Sequence, residues 1–134
     1  MMTTHPPAGY VPSEAEEFMN PSQAAYFRQR LEQMRADLLR ELDAIPHVDA
    51  DDGAREGDQA DHASADTERT FEMTNRERVR MLLRQTEQAL VRLDKGTFGY
   101  CADSGEPIGL KRLIAQPATP LSLRAQEERE RLGR

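Results

Sequence analysis

Phe27, Leu31, Met34, Leu38, Leu42 and Ile45 recur at intervals of four and three. That period belongs to the α-helix, in which residues three and four apart share a face. Both ends of the seam are marked. Asn20 precedes Pro21, Asn is a good N-cap, and Pro suits the first helical position. Gln23 can complete a capping box. Pro46 stops the helix. A first long helix is therefore predicted from about Pro21 to Ile45. Arg28, Arg30, Glu32, Arg35, Asp37, Arg40 and Glu41 form its solvated face.

Residues 47–66 are of another kind. They hold Asp49, Asp51, Asp52, Glu56, Asp58, Asp61 and Asp66, with Gly53 and Gly57 as breakers and Arg55 as the only Lys or Arg. Apolar residues larger than Ala are almost absent, so an exposed acidic turn is expected. A second long helix should follow, from about Ala60 or Asp66 to Lys95. Phe71, Val79, Leu82, Ala89 and Leu93 form its seam, with Met81, Leu83 and Leu90 alongside, and Gly96 is a natural C-cap. Arg69, Arg76, Arg78, Arg80 and Arg84 make one side basic.

Two amphipathic helices joined by a polar turn imply an antiparallel hairpin. Roughly 24 paired residues give an arm of about 35 Å. Composition favours this over an ordinary bundle. Only 37% of residues are hydrophobic and 5% aromatic, so much of the chain buries a stripe instead of a spherical core.

The remaining segments flank the hairpin. Residues 1–20, with Pro6, Pro7, Gly9 and Pro12, read as an irregular arm with a short helical turn around Glu14 to Met19. Residues 21–95 form the hairpin, with its acidic tip near 47–66. In residues 96–134, Phe98, Tyr100, Ile108, Leu110, Leu113, Ile114, Leu121 and Leu123 crowd among glycines and prolines. A small globule with two short strands or turns is expected there, followed by a helix from about Thr119 to Leu132. The fold class is mainly α.

Charge limits function. The net charge of -6 disfavours independent, sequence-specific DNA binding, which usually needs a basic face. No apolar run could span a membrane, no signal peptide is visible, and one cysteine permits no internal disulfide. A cytoplasmic monomer is expected. No nucleophile–base pair, metal cluster or phosphate loop suggests an enzyme or a cofactor. Asp49 to Gly53 fails as an EF-hand, because its glycine comes one position early and no closing glutamate follows.

Phe98-Gly99-Tyr100-Cys101-Ala102-Asp103-Ser104-Gly105-Glu106-Pro107-Ile108-Gly109, followed by Lys111-Arg112-Leu113 and Pro117, resembles the C-terminal module of the DksA/TraR family. Phe18-Met19-Asn20-Pro21-Ser22-Gln23, with Tyr26-Phe27-Arg28, resembles that family's lead-in to its first coiled-coil helix. Asp58-Gln59-Ala60-Asp61-His62-Ala63 is similar to its tip pattern Asp-x-x-Asp-x-Ala, and Asn75-Arg76-Glu77-Arg78 to its returning helix. The order and spacing of these motifs cover nearly everything from Phe18 onward.

The resemblance implies a coiled-coil hairpin, a small head and a C-terminal helix. It implies a transcription regulator that enters the secondary channel of RNA polymerase and modulates initiation at ribosomal RNA and stringent-response promoters. Asp58 and Asp61 would be the tip carboxylates near the catalytic magnesium, with Ala63 beside them. Arg76, Arg78 and Leu82 are candidate polymerase contacts, although a solvated face or coil packing would explain them equally.

The family holds a four-cysteine zinc site in the head. The aligned positions here are Cys101, Ser104, Ser122 and Ala125. One thiol cannot build a tetrahedral zinc site, so a zinc-free head is expected, suited to conditions of zinc scarcity. Cys101 reads as a relic more than as a redox thiol, with Asp103 and Glu106 expected to raise its pKa. The alarmone ppGpp stays open as a co-ligand. Basic residues that form its pocket in the family are here Gln85, Gln116 and Gln126, although Arg84, Lys111, Arg112 and Arg124 are near in sequence. Two other readings stay open: a Gre-like transcript-cleavage factor, and a coiled-coil adaptor unrelated to polymerase.

Overall fold

The computed structural model describes residues 5–46 and 59–133; of residues 59–63 only the backbone course is described. Among the described residues four helices follow in order: α1 (Pro21–Ala44), α2 (Gln59–Lys95), α3 (Leu110–Ala115) and α4 (Leu123–Leu132). Among the described residues the only β-pairing is an isolated antiparallel bridge between Tyr100 and Pro107. Of the expected two short strands or turns, the stretch forms turns joined by that bridge, and α3 occupies a stretch for which no helix was expected. No described helix is long and apolar enough to cross a membrane.

α1 begins and ends where its punctuation directs. The Asn20 side chain accepts the Gln23 N–H at 2.9 Å. Gln23 Oε1 reaches one residue further back than a capping box requires and accepts the Met19 N–H at 2.7 Å. Met19 is held there at φ 56°, a conformation uncommon outside glycine. The arm before it forms turns, without the expected helical turn, and is tied to α1. Gln23, fully buried, donates to Ser13 O at 3.3 Å, and the Tyr10 ring packs edge-on to Tyr26. Burial and the Glu16 carboxylate push the Tyr10 phenol up to about 12, while the Tyr10 hydroxyl draws Glu16 below its usual range.

α1 and α2 run antiparallel. Arg28 pairs with Asp94, Glu41 with Arg78, and the carbonyl of Ile45 with Arg76, so partner numbers fall along α2 as they rise along α1. Two apolar clusters lie along this pairing. Leu38, Ile45 and Val79, with Leu42, Leu82 and Leu83, fill the half nearer the turn. Phe27, Leu31, Ala89, Leu90 and Leu93 fill the base, where Phe98, Leu110, Leu113 and Ala118 of the head join them. Thr86, fully buried, donates to Leu82 O at 2.8 Å.

Phe71 departs from the expected seam, being 72% exposed. α1 has 24 residues and α2 has 37, so the stretch from Gln59 to Asn75 projects past the end of α1 by about 25 Å. On the azimuth that packs Val79 against α1, the preceding positions are Glu72 and Glu68. The apolar seam therefore ends where α1 ends.

The head closes on the base of the hairpin. Gly96, at φ 78°, ends α2 and returns its N–H to Leu93 O. Gly99 is required by space as well as conformation: at φ 94°, a Cβ there would lie 2.9 Å from Met19 Cε and 3.1 Å from Phe18 Cζ.

Candidate functional site

Two regions hold the residues singled out by sequence. The first is the turn end of the hairpin. Asp58 lies outside the described residues. Asp61 and Ala63 lie on the first turns of α2, and their side chains are outside the described set. The projecting helix places Asp66, Glu68 and Glu72 on the same stretch as the exposed Phe71 and Met73.

Arg76 and Arg78 stand where the pairing with α1 begins. Arg76 Nη2 donates to Ile45 O at 2.8 Å and Pro46 O at 2.6 Å. It thereby satisfies carbonyls that the end of α1 leaves without helical partners. Arg78 donates to Glu41 at 3.0 Å and to Asn75 Oδ1. Neither arginine is bonded to the neighbouring Glu72 or Glu77 of its own helix. Leu82 is half-buried in the upper apolar cluster.

The second region is the zinc-like knuckle. Cys101 N–H donates to Glu106 O at 2.8 Å, and Gly105 N–H returns to Cys101 O at 2.9 Å. This tight loop faces the start of α4. Ser122 is the N-cap of α4 and accepts the Ala125 N–H at 3.1 Å. Its hydroxyl donates to Cys101 Sγ at 3.6 Å. The four zinc-aligned positions thus gather as one thiol, two hydroxyls and a methyl. Among the described residues no three His, Cys, Asp or Glu side chains converge to hold a metal. The donor set does not fit a tetrahedral zinc.

Cys101 is buried. Burial pushes its thiol up. Hydrogen bonds from the Ser104 hydroxyl, the backbone N–H groups of Ser122 and Ser104, and the Ser122 hydroxyl outweigh that and bring it down to about 6. The expectation that Asp103 and Glu106 would raise it is overturned: the thiol is lowered, and neither carboxylate is among the groups that shift it. Asp103 is bound by Arg129 through Nε at 2.7 Å and Nη2 at 2.5 Å. That ion pair holds the Asp103 carboxyl below its usual range.

A cleft of about 450 Å³ opens over the knuckle, lined by Asp103, Ser104, Glu106, Ser122, Arg124, Ala125 and Glu128. Behind it, Arg112 donates to Leu121 O at 2.9 Å and to Gln126 Oε1. Gln126 Nε2 donates in turn to Glu130 at 3.1 Å. Sequence reasoning missed both arginine contacts. The Asp103–Arg129 pair had one local signal: Arg129 lies four residues past Ala125, on the face that begins beside the knuckle. Of the other residues considered for an anionic ligand, Gln85 is half-buried, Gln116, Lys111 and Arg124 are exposed, and Arg84 reaches Glu77 at 3.5 Å.

Comparison with known proteins agrees across this architecture. Residues 23–93 match the family model of the DnaK suppressor protein DksA N-terminal domain. Residues 96–131 match the prokaryotic dksA/traR C4-type zinc finger. The RNA polymerase-binding transcription factor DksA of Caulobacter vibrioides is 43% identical, over 93% of this chain and 88% of its own. Its counterpart in Escherichia coli K12 is 36% identical, over 85% and 76%. The solved structure of transcription factor DksA2 from Pseudomonas aeruginosa superposes with a TM-score of 0.71 at 32% identity, covering 91% of this chain and 92% of that one.

Proposed function

The chain belongs to the DksA family, and from that premise we propose that it binds RNA polymerase and regulates transcription initiation without catalytic chemistry of its own. One observation carries this reading: similarity to polymerase-binding factors runs through hairpin and head together, over 93% of the chain for the Caulobacter relative. In this reading residues 21–95 are the probe, residues 96–134 the head, and residues 1–20 the arm that braces both.

The projecting end of α2 enters the secondary channel, with Asp58 and Asp61 directed at the magnesium centre or its coordinating network. Two observations support this. Acidic residues three apart suit a cation or a basic target. Beyond Asn75, α2 also extends past the end of α1, so its acidic first turns stand about 25 Å beyond the paired part of the hairpin. Promoter choice follows from polymerase kinetics, because a regulator there shifts weak open complexes, such as those at ribosomal RNA promoters, without reading bases.

The protein works without zinc, since only Cys101 of the four aligned positions is a metal ligand. Burial of Phe98, Leu110, Leu113 and Leu121 supports the head instead, each contributing about 1.5–3 kcal/mol. Synergy with ppGpp is weak in this reading. Gln126 is bound by Arg112 and Glu130, and an amide brings no charge to a phosphate.

The test is multiple-round transcription from a ribosomal RNA promoter in the presence of a strong zinc chelator. The native chain is expected to inhibit, Asp58→Asn/Asp61→Asn to lose inhibition, and ppGpp to add little. A folded native chain that leaves transcription unchanged overturns the polymerase reading. Inhibition abolished by the chelator overturns zinc independence. RNA cleavage in backtracked complexes would point to a Gre-like factor.

A further inference from the structure

α4 contains no buried residue, and Leu123 and Leu132 at its two ends are 57% and 69% exposed. Apolar burial therefore explains why the head is compact, but not why α4 keeps its direction across the knuckle. In a zinc head the metal would fix that direction by bonding both sides. Here polar groups span the same gap. The Asp103 carboxylate comes from the knuckle, and Arg129 reaches it from the second turn of α4 with two parallel hydrogen bonds. Arg112, on α3, takes hold of the chain just before α4 at Leu121 O and of its first turn at Gln126. Ala102 N–H donates to Pro120 O at 2.8 Å and brings the two chain segments side by side.

We infer that Arg129 and Arg112 form a clasp that takes over from the metal the task of orienting α4, Arg129 by gripping Asp103 and Arg112 by gripping Leu121 and Gln126. Both are positioning residues. This rests on the zinc-free reading of the head. The fork of a guanidinium suits the role, because two parallel bonds fix direction where a single ammonium contact would not. An exposed ion pair adds little to global stability, so the clasp should govern α4 locally while the apolar core governs unfolding.

Hydrogen exchange read peptide by peptide separates these roles, with the full chain measured with and without chelator. In Asp103→Ala and in Arg129→Ala, amides of residues 123–132 should exchange roughly threefold faster, within the range of a measurable exposed pair, while hairpin amides and the thermal midpoint stay near native. Arg112→Met should act on the same peptides. The reversed pair Asp103→Arg/Arg129→Glu should regain most of the protection. Salt near 1 M, which shortens screening to about 3 Å, should mimic the single variants.

Native protection that survives chelator, with α4 exchange unchanged in Asp103→Ala and Arg129→Ala, overturns the clasp and leaves the zinc-free reading intact. Native α4 protection lost in chelator overturns the zinc-free reading and the clasp with it.

Discussion

The hydroxyl of Ser122 lies 3.6 Å from the sulfur of Cys101 while the same oxygen caps α4 by accepting the Ala125 N–H. One side chain thus serves a thiol and a helix end. Ser122→Ala should lower stability by about 1 kcal/mol through the lost cap. It should also raise the thiol from about 6 toward its ordinary 9.0. Thiolate absorbance followed against pH checks the second effect, and denaturant unfolding the first.

The depressed thiol also predicts a pH dependence. The folded state releases this proton near pH 6 and the unfolded chain near pH 9. Stability from Cys101 is therefore complete above pH 9 and is lost as pH falls through about 6. Between these values the thermal midpoint should rise with pH, and Cys101→Ser should flatten that rise. A native midpoint that falls over this interval would refute the assignment.

Arg76 and Arg78 differ in what they hold, although their motif gives them equal weight. Arg76 binds two carbonyls at the end of α1, whereas Arg78 makes a half-exposed pair with Glu41. Arg76→Ala should cost about 1.5–3 kcal/mol, the range for hydrogen bonds to a charged group. Arg78→Ala should cost less than about 1 kcal/mol. Urea midpoints at constant slope give the comparison. Equal losses would show that the contacts to Ile45 and Pro46 are not what stabilises the turn end.

Phe71 should behave as a surface residue despite its helical spacing from Val79. Phe71→Ala is expected to change stability by no more than about 0.5 kcal/mol, while Leu31→Ala, in the fully buried base cluster, should cost about 2–5 kcal/mol. If Phe71→Ala reduces inhibition of transcription without a shift in melting, the projecting helix contributes contact as well as reach.

Gly99→Ala tests the junction of arm and head. The added methyl meets Met19 and Phe18 at a positive φ, so a loss of about 1–3 kcal/mol is expected. Gly105→Ala has a similar φ but open space around it, and should cost less. Thermal melts of the two variants separate conformation from collision.

The bounds of α1, the C-cap of α2 and the apolar seam of α1 were legible in the sequence, because each rests on near neighbours, whereas the core that hairpin and head share was not. Asn20, Pro21 and Pro46 act within a turn, Gly96 supplies its own backbone freedom, and the apolar period of α1 repeats every turn. The four zinc-aligned positions came from the family resemblance, and the lack of ligands among them from the residue types that stand there. The end of the seam at Val79 was not. Period alone carries it on to Phe71, and only the point where α1 stops shows that nothing described remains opposite. Nor could the sequence give the low thiol of Cys101 or the grip of Arg129 on Asp103. The thiol adds to its bonds from nearby Ser104 those of Ser122, whose hydroxyl the fold brings to 3.6 Å, and Arg129 is brought to 2.7 Å from Asp103. Periodicity and capping are local and survive in one dimension. Hydrogen bonding and charge compensation act over a few ångströms in three, and only the folded chain decides which distant groups come that close.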